Sequence, residues 1–525
     1  MQENTQKADT ADIRTTVKNE YRLLMLSTLL ISGCSMVYEL IISAVSSYLV
    51  GDSTLQYSVT IGLYMFALGI GSFLSKYIKK DLWGAFAKVE ILIGVTGGTC
   101  SLMLFLSNLY LESYVLVMYA EILAIGTLAG LEIPLLTRLI EEDRQELRLT
   151  LSSIFSFDYI GGLVGSVAFP MILLPHLGYF ATCFLSGVLN LTAAALIIFK
   201  YQKKLKHSSV YKIAAAFLLG CMLFGMFGSE NIGQMIEGGL YRDRVILSEQ
   251  TAYQKIVVTK HKDDLRLYID GNVQFSTSDE YRYHEALVHV PMSCAENRDS
   301  VLILGGGDGM AARELLKYPE TRITLVDLDP GMTELCSTDP MITKVNGGSL
   351  SDERLTVIND DAYKFLEESD ERFDVIIVDL PDPNNEALNK LYTNVFYRLC
   401  AAHLNEGGVM NVQSTSPYYA KKAYWCIGKT MESEGLSVRS YHLEVPAFGD
   451  WGFHMASASE LKKKHPFPED TRYLSEENFE SLFIFGKDEQ AESIEVNHLT
   501  KPVLIQYYND AVRDWEVTIH GLAND

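Results

Sequence analysis

The sequence predicts an N-terminal α-helical transmembrane bundle of about seven helices, followed by a small antiparallel β unit and an α/β domain with a parallel sheet. Three observations support this fold class. Apolar windows of bilayer length lie before residue 229, β-branched runs broken by turn residues follow, and strand and helix patterns then alternate. The expected divisions are a tail at 1–21, a transmembrane domain at 22–228, a β-rich domain at 229–298, the α/β domain at 299–485 and an extension at 486–525.

Apolar windows recur along the first 228 residues. A helix of about 20 residues crosses the hydrocarbon core of a bilayer, and 48% apolar against 21% charged residues is more apolar than a typical soluble protein. The first window is too long for the apolar core of a signal peptide. Buried helices of a soluble core are the alternative. We predict membrane segments at 23–49, 55–78, 84–107, 114–139, 152–174, 178–199 and 211–228.

Charge and cysteine content narrow the function classes. A net charge of -22 argues against a nucleic-acid partner, and it is compatible with a cationic ligand or with solubility alone. The eight cysteines include no CxxC pair and no metal-like spacing, so we expect no metal site. Cysteines that stay reduced favour a cytoplasmic location for the second half of the chain.

The distribution of basic residues favours the opposite side of the membrane for the second half of the chain. They collect in the tail and between segments two and three, four and five, and six and seven, which places the amino terminus in the cytoplasm. Seven crossings would then put the second half outside. We expect a multi-pass protein of the cell membrane with a cytoplasmic second half, and the short last segment, 211–228, is the one that could fail to cross.

The α/β domain is predicted from strands that alternate with helical segments. The strand "VLIL" runs into the glycines 305–307, and further strands end at "RITLVD", "TVIND" and "DVIIVDLPDP". This order indicates a Rossmann-like domain of the methyltransferase type, in which ligands bind at the carboxyl ends of the strands.

Acidic residues follow three of these strands. Asp327 stands where an acid binds ribose hydroxyls, and Asp361 stands where an acid accepts from an adenine amino group. Asp308 lies in the glycine loop, where a diphosphate would require dipoles and cations, so the pattern suits an adenosine without phosphates. The alternative for each aspartate is a helix cap in a strand-to-helix turn.

Several motifs resemble the spermidine synthases, the aminopropyltransferase family. They are "YIDGNVQFSTSDEYRYHEALVHVPM", "VLILGGGDGMAARELLKY", "VDLDP" and "DVIIVDLPDP...LYTNVFY", in family order over roughly 240–485. The first half is similar to the multi-pass variants of that family. The resemblance implies transfer of an aminopropyl group from decarboxylated S-adenosylmethionine to putrescine or a related diamine, without a prosthetic group, giving spermidine and methylthioadenosine.

The resemblance also implies site roles. Asp379 corresponds to the proton acceptor and Asp382 to a residue that holds the polyamine; burial and the neighbouring carboxylate should raise the pKa of Asp379. Soluble members of the family imply a homodimer or tetramer. The remaining matches are nucleoside contacts at Gln254, Gly305, Gly307, Asp327, Asp361 and Ala362, and polyamine or aminopropyl contacts at Tyr283, His284 and Asp308.

The sequence departs from the soluble members at two places. Glu386 stands where a proline is expected after the aspartates, and Phe448 stands where a polyamine-contacting tyrosine is usual. Both positions line the substrate end, so the acceptor amine is the least constrained part of the prediction.

Two other functions remain open at this stage. One is a methyltransferase that uses intact S-adenosylmethionine, and the other is a polyamine transporter or sensor. Acids inside apolar segments usually face a cavity or a partner, so they either form a path for a cationic polyamine or are protonated or hydrogen-bonded packing residues. These acids are Glu39, Glu90, Glu121, Glu132 and Asp158.

Overall fold

The structure is a computed structural model that describes residues 2–50, 53–111, 114–144 and 147–523. It divides into two compact units after Arg242. We call residues up to 242 the helical unit and the residues from 243 the sheet unit. The turn positions 51–52, 112–113 and 145–146, which contribute to the predicted loops, lie outside the described residues, as do residues 524–525 of the predicted extension.

The helical unit consists of long apolar helices. Only one described helix here, α4, has a proline in its interior, Pro134. A one-turn π-helical segment at Phe169–Leu173 joins the fifth and sixth helices. The helices are α1 (Gln2–Val50), α2 (Ser53–Leu74), α3 (Leu82–Tyr110), α4 (Tyr114–Arg144), α5 (Leu147–Ala168), α6 (Leu174–Lys200), α7 (Ser208–Phe227) and α8 (Ser229–Leu240).

Six described helical stretches are long and apolar enough to cross a membrane. The sequence predicts about seven segments, and the difference arises because two of them fall within one continuous 50-residue stretch, Leu151–Lys200. Gly178 interrupts that stretch with φ 68° and ψ -175°. The predicted order of apolar helices followed by a sheet-rich domain is confirmed.

The chain reverses direction at this interruption. Gly161 of α5 lies against Leu29 of α1, and Gly165 lies against Gly33. The contacts advance in the same direction along the two helices, so α5 runs parallel to α1. By contrast, the ring of Tyr179 at the start of α6 lies 6.3 Å from that of Tyr48, near the end of α1. Ile197, near the end of α6, lines the same cavity as Leu24, which precedes Tyr48 on α1. The start of α6 therefore lies near the end of α1 and the end of α6 near an earlier part of α1, so the two helices run antiparallel.

The β-rich region begins later than predicted. Residues 229–240 form α8 and belong to the helical unit, where Ile236 is buried in the core. The spacing of Ile232, Ile236 and Leu240 places apolar side chains on one helix face. A four-stranded antiparallel sheet follows, in the order β1 (Arg244–Gln250), β2 (Lys255–His261), β3 (Asp264–Ile269) and β4 (Asn272–Ser276).

The larger sheet of the sheet unit has seven strands in the order β10-β11-β9-β8-β5-β6-β7. Strands β5 to β9 are parallel, whereas β10 and β11 pair antiparallel at one edge. The strands are β5 (Ser300–Gly305), β6 (Arg322–Asp327), β7 (Leu355–Asn359), β8 (Phe373–Asp379), β9 (Leu404–Gln413), β10 (Ser437–Val445) and β11 (Gly449–Ser457).

Helices cover both faces of this sheet. Alternate residues of β5 enter different cores, with Val301 and Ile303 on the face covered by α9 and Leu302 and Leu304 on the opposite face. The helices are α9 (Glu280–Cys294), α10 (Met310–Leu315), α11 (Pro330–Thr338), α12 (Pro340–Val345), α13 (Ala362–Glu368), α14 (Glu386–Asn389), α15 (Asn394–Ala402), α16 (Lys421–Glu432) and α17 (Val503–Ala523).

The strand order locates the site. The chain passes from β5 to β6 and β7 on one side, and then crosses back to β8 on the other side of β5. Parallel sheets bind ligands in the crevice at the carboxyl ends of such strands. Gly305 and Asp379 are paired at this point, and the glycine loop and the "DLPDP" segment therefore lie side by side.

Candidate active site

The glycine loop lies directly against the end of β8. Gly306 donates from its backbone nitrogen to the Asp379 carbonyl oxygen at 3.1 Å. Gly305 has φ 85°, and a Cβ there would stand 2.1 Å from the same carbonyl oxygen. Only glycine tolerates both the positive φ and the close approach. The loop is thus fixed where a ligand at the β5 and β8 ends would lie.

Asp379 is the last residue of β8, and its two carboxylate oxygens face different groups. Oδ1 accepts a hydrogen bond of 2.6 Å from the Tyr283 hydroxyl. Oδ2 lies 3.3 Å from the point where a Cβ on Gly306 would stand, so it is directed at the glycine loop. Burial raises the pKa of Asp379, while the charge of His284 and the bond from Tyr283 oppose that rise. A raised pKa makes this carboxylate a better proton acceptor.

His284 is held by a buried ionic network. Its Nδ1 lies 2.8 Å from Glu280 Oε2, and Arg313 donates to both oxygens of Glu280 at 2.9 Å. Burial disfavours the charged imidazole, but the hydrogen bond with Glu280 raises the pKa of His284 above its ordinary value. Burial also opposes ionisation of Glu280, yet the bonds from His284 and Arg313 lower its pKa to about 2. His284 is therefore held in a fixed orientation by Glu280 beside Tyr283 and Asp379.

Asp308 is a second carboxylate at the glycine loop. Its Oδ1 accepts from the Met310 nitrogen at 2.9 Å, and its carbonyl oxygen accepts from Asn346. Burial raises the pKa of Asp308 to about 6, with His284 lowering it and Asp379 raising it further. Asp308 lies on the glycine loop that contacts Asp379 through Gly306.

Asp327 ends β6 and supports the glycine loop. Its Oδ2 accepts from the Gly307 nitrogen and its Oδ1 from the Asp329 nitrogen, both at 2.9 Å. Burial raises the pKa of Asp327 to about 6, and these backbone donors oppose the rise. A Cβ on Gly307 would lie 2.6 Å from Oδ2. The acid predicted to bind ribose thus touches the predicted nucleoside loop.

Gln254 lies in the turn between β1 and β2, close to the end of β6. Its backbone nitrogen donates to Thr251 Oγ1 at 3.0 Å, and that hydroxyl donates to Asp329 Oδ2 at 2.8 Å. Asp329 in turn caps α11 by accepting from Gly331. The small sheet is therefore tied at this turn to the β6 end.

Asp361 fits both roles considered from the sequence. Its Oδ1 accepts from the nitrogens of Tyr363 and Lys364, so it caps α13, which begins at the buried Ala362. Its Oδ2 lies 3.1 Å from Lys390 Nζ, and the carboxyl side chain is 40% exposed. Burial opposes ionisation, but Lys390 and the capping donors lower the pKa of Asp361. An exposed oxygen at this end of β7 can still accept from a ligand amino group.

Asp382 is half-buried, and side chains of two segments, the end of β9 and helix α17, lie close to its carboxylate. Gln413 Nε2, at the end of β9, lies 3.3 Å from its Oδ1. The side chains of Thr415 and Tyr508 also lie close to this carboxylate. Burial raises the pKa of Asp382 to about 6, and all three donors oppose the rise. The arrangement places a second carboxylate three residues after Asp379.

The two departures from the expected pattern have local explanations. Glu386 begins α14, which Asn385 caps by accepting from the Leu388 nitrogen at 2.9 Å. A short capped helix therefore stands in place of the missing Gly-Pro turn. Phe448 packs edge-on against Tyr283 with 5.9 Å between ring centroids, so it contacts the site through its ring.

One group of possible metal ligands lies away from these residues, at His442, Asp450 and Glu489. Both ring nitrogens of His442 already have partners, Asp450 Oδ1 at 2.7 Å and the Ile484 carbonyl oxygen at 2.8 Å. This group therefore gives no support for a metal centre. It does not test the expectation, drawn from the cysteine spacing, that the chain has no metal site.

Several site residues were missed from the sequence. Glu280 and Arg313 orient His284, and neither has a local signal, since charged residues on helices are usually solvated. Gln413 ends the strand "GGVMNVQ", and a polar residue at a buried strand end is a signal that could have identified it. Tyr508 lies more than 120 positions after Asp382 on a helix with no relevant motif, so only the fold brings them together.

Comparison with known proteins adds a family assignment. The family model "Spermine/spermidine synthase domain" matches residues 280–467. A polyamine aminopropyltransferase of Leptospira interrogans is 40% identical over 493 residues, covering 94% of this chain and 98% of the relative. One from Oceanobacillus iheyensis is 40% identical over 503 residues, covering 94% of this chain and 98% of that protein.

A solved structure, spermidine synthase from Thermotoga maritima, is 27% identical with a TM-score of 0.43. It covers 46% of this chain and 85% of the Thermotoga chain. The Leptospira and Oceanobacillus relatives, by contrast, extend across both units of this chain.

Proposed function

The chain belongs to the polyamine aminopropyltransferase family, and on that basis we propose that Asp379 and the groups around it carry out aminopropyl transfer. Family membership rests on 40% identity over nearly the whole chain. The family uses decarboxylated S-adenosylmethionine as its co-substrate and acts on putrescine-type diamines. The chain is thus an aminopropyltransferase of polyamine biosynthesis, and the residue roles given below are our proposal.

The reaction requires little beyond alignment and one proton acceptor. The neutral amine of the diamine attacks the aminopropyl carbon attached to the sulfonium sulfur. The new N–C bond forms as the C–S bond breaks, and the electron pair goes to sulfur, leaving neutral methylthioadenosine. Asp379 Oδ2 accepts the proton that the nitrogen loses. Since a sulfonium leaves without acid assistance, positioning and negative charge account for most of the catalysis.

The nucleoside end is assigned to the strand ends nearest the glycine loop. Gly305 and Gly307 allow close approach, Asp327 binds the ribose hydroxyls, and Gln254 contacts the nucleoside from the small sheet. The exposed carboxylate oxygen of Asp361 accepts from the adenine amino group beside Ala362. Burial of Asp327 and its contact with the Gly307 nitrogen support this assignment.

The amine end is assigned to the half-buried carboxylates at the ends of β5 and β8. Asp308 binds the amine of the aminopropyl group, and it would repel the carboxylate of intact S-adenosylmethionine, which favours the decarboxylated form. Asp382 binds the distal ammonium of the diamine. Tyr283 fixes Asp379, and Tyr283 and His284 line the polyamine end, with His284 held by Glu280.

The observation that carries this proposal is the pair of oxygens on Asp379, one held by Tyr283 and the other directed at the glycine loop. The test is to incubate the full chain in detergent with decarboxylated S-adenosylmethionine and a panel of diamines, and to measure methylthioadenosine. We expect release with putrescine. Binding of the nucleoside without release for any amine would contradict the enzymatic function and favour the sensor alternative.

We further propose that the helical unit spans the cell membrane and that the sheet unit is cytoplasmic, where polyamine precursors are available. With a cytoplasmic amino terminus, this requires an even number of crossings. Since α5 and α6 run in opposite directions, α7 is assigned as the helix that does not cross, because with 20 residues it is the shortest of the six stretches.

A cavity in the helical unit supports a second candidate function, binding of a cation by this half. Glu90, Glu132 and Asp158 line it together with apolar side chains, and its described lining includes no basic residue. Glu90 is fully buried, and its Oε1 has no hydrogen-bond partner among the described residues. Three carboxylates in one cavity repel one another unless a cation or protons neutralise them.

Uptake of labelled putrescine into vesicles that contain the full chain tests this second function. We expect uptake that persists in Asp379→Asn, falls several-fold in Glu90→Gln and is unchanged in Glu121→Gln, whose carboxyl lies outside the cavity lining. A flat time course in the wild type would remove the transport function and leave the cavity acids protonated.

A further inference from the structure

Lys390 contacts the acid that is assigned to the adenine amino group. Its Nζ donates to Asp361 Oδ2 at 3.1 Å. Oδ1 of the same carboxylate caps α13, so Oδ2 is the oxygen left for a ligand. The side chains of Asp361 and Lys390 are 40% and 34% exposed, and both can therefore still meet a ligand. The acceptor assigned to the nucleoside thus has a cation beside it.

The backbone on both sides of Lys390 is fixed. Asn389 before it is buried, and its Oδ1 accepts from Asn497 Nδ2 at 2.9 Å. The Lys390 carbonyl oxygen accepts from the Thr393 hydroxyl at 2.9 Å, and Tyr392 between them is fully buried. The chain therefore holds the Cα of Lys390 in place, and only the side chain decides what its ammonium contacts.

An aromatic ring limits where that ammonium lies. Nζ of Lys390 is 4.5 Å from the centroid of the Tyr363 ring, which is within range of a cation–π contact. The Tyr363 ring is itself stacked on the fully buried Phe396, with 6.3 Å between ring centroids. The ammonium is thus held between a fixed ring and Oδ2 of Asp361.

The alternative is an ordinary solvated ion pair. Lys364 and Asp360 form such a pair at the start of the same helix, with Nζ 3.2 Å from Oδ2 and the lysine side chain 53% exposed. Exposed pairs of this kind contribute little to stability. The pair of Lys390 differs because its lysine comes from another segment of the chain and its carboxylate oxygen is the one assigned to the nucleoside.

We propose that Lys390 is a specificity-determining residue of the nucleoside site, donating to N1 or N7 of adenine while Asp361 accepts from the amino group. This inference rests on the proposed function, which assigns Asp361 to adenine. Adenine carries its amino donor between these two acceptor nitrogens. Asp361 Oδ2 and Lys390 Nζ present the complementary acceptor and donor 3.1 Å apart. A 6-oxo purine would place an oxygen against the carboxylate, so the pair favours adenine.

Equilibrium binding of methylthioadenosine to the full chain in detergent tests the role of the ammonium, in wild type, Lys390→Met and Lys364→Met. Methionine keeps an unbranched side chain and removes the charge. We expect Lys390→Met to bind about tenfold more weakly, the size expected for losing one hydrogen bond from a charged donor. Lys364→Met should match wild type. Unchanged binding in Lys390→Met would contradict the proposal, as would tighter binding, which would mean that the ammonium competes with the amino group for Oδ2.

Deaza analogues of methylthioadenosine separate a direct contact from a structural effect. Replacing N1 or N7 by C–H removes one acceptor and leaves the amino group in place. One of the two analogues should bind wild type about tenfold more weakly than methylthioadenosine, yet bind Lys390→Met equally well. The same fold loss in both proteins with each analogue, or no loss with either analogue in wild type, would contradict the contact.

Wild-type binding distinguishes this inference from the function on which it rests. A wild type that does not bind methylthioadenosine would contradict the nucleoside site of the proposed function and this inference together. A wild type that binds it, with the same analogue discrimination as Lys390→Met, would contradict the role of Lys390 alone. The thermal midpoint of Lys390→Met should stay close to wild type, because a partly exposed ion pair adds little stability.

Discussion

Asp379 and Asp382 are three positions apart, yet their surroundings suit them to different tasks. Asp379 has one oxygen held by Tyr283 and the other directed at the glycine loop. Asp382 accepts from Gln413, and the Tyr508, Gln413 and Thr415 side chains oppose the rise of its pKa that burial causes. The first arrangement suits transient proton acceptance, and the second suits lasting binding of a cation.

The fall of activity at low pH should reflect protonation of Asp382. Its pKa is about 6, so the carboxylate is ionised above that pH and protonated below it. At saturating decarboxylated S-adenosylmethionine, kcat/KM for putrescine should therefore fall below about pH 6. Stopped assays of methylthioadenosine across pH 5 to 8 check this. The same break in Asp382→Asn would show that another group causes it.

Asp308 should control discrimination between the two forms of the co-substrate. Neutralising it removes the repulsion of the S-adenosylmethionine carboxylate and the attraction of the aminopropyl amine. In Asp308→Asn, the preference for decarboxylated over intact S-adenosylmethionine should fall about tenfold or more, as measured by competition binding. The exposed Asp370→Asn should keep the wild-type ratio; an unchanged ratio in Asp308→Asn would contradict the assignment.

The sequence predicted the site residues that lie at the ends of strands. Asp327, Asp361 and Asp379 follow strands, and a parallel sheet brings such residues to one edge. The cap on α13 was an open alternative for Asp361, but the partner Lys390 was not foreseen. Lys390 belongs to the irregular stretch after the missing Gly-Pro, where no periodic pattern guides prediction.

At the scale of elements, α9 and α10 are joined by the pair of Glu280 and Arg313. The Glu280 side chain is 4% exposed, and Arg313 holds both of its oxygens. This pair sets the position of His284 and so connects helix packing to the site.

Removing Arg313 should destabilise the sheet unit strongly. Arg313→Met leaves the buried Glu280 charge short of its main partner, which typically costs about 3–5 kcal/mol. Urea unfolding of the full chain, followed by the fluorescence of Trp425 and Trp451, measures the loss. Lys364→Met, which removes a half-exposed pair with Asp360, should change the free energy of unfolding by less than about 1 kcal/mol. Equal effects would contradict the importance of the buried pair.

The order of helices and strands was largely predictable from the sequence. The exceptions are short elements such as α8. Apolar strands such as "VIIV" and the turn at Asp270 and Gly271, both with positive φ, follow ordinary sequence signals. Helix α8 was assigned to the β-rich region because its twelve residues carry two adjacent glycines near the end. Its apolar face packs in the helical unit, which is a tertiary effect that composition does not reveal.

At the scale of the whole molecule, the chain combines an apolar helical unit with a transferase unit, and relatives align across both. In the helical unit small residues permit close packing: a Cβ on Gly71 would stand 2.0 Å from the Thr127 carbonyl oxygen. Such contacts are common where helices associate in lipid.

The membrane assignment predicts how the full chain fractionates. It should sediment with membranes, resist extraction by alkaline carbonate and be released by detergent. In inside-out vesicles, added protease should digest the sheet unit, while right-side-out vesicles should protect it. Digestion only in right-side-out vesicles would instead require all seven helices to cross, including α7.

The central claim is that Asp379 is the proton acceptor of aminopropyl transfer, and the most direct measurement is a paired assay of wild type and Asp379→Asn. With decarboxylated S-adenosylmethionine and putrescine, turnover to methylthioadenosine should fall about 10²- to 10⁴-fold in the variant. Equilibrium binding of methylthioadenosine should be unchanged, because the nucleoside contacts remain. Turnover equal to wild type, at equal binding, would contradict the claim.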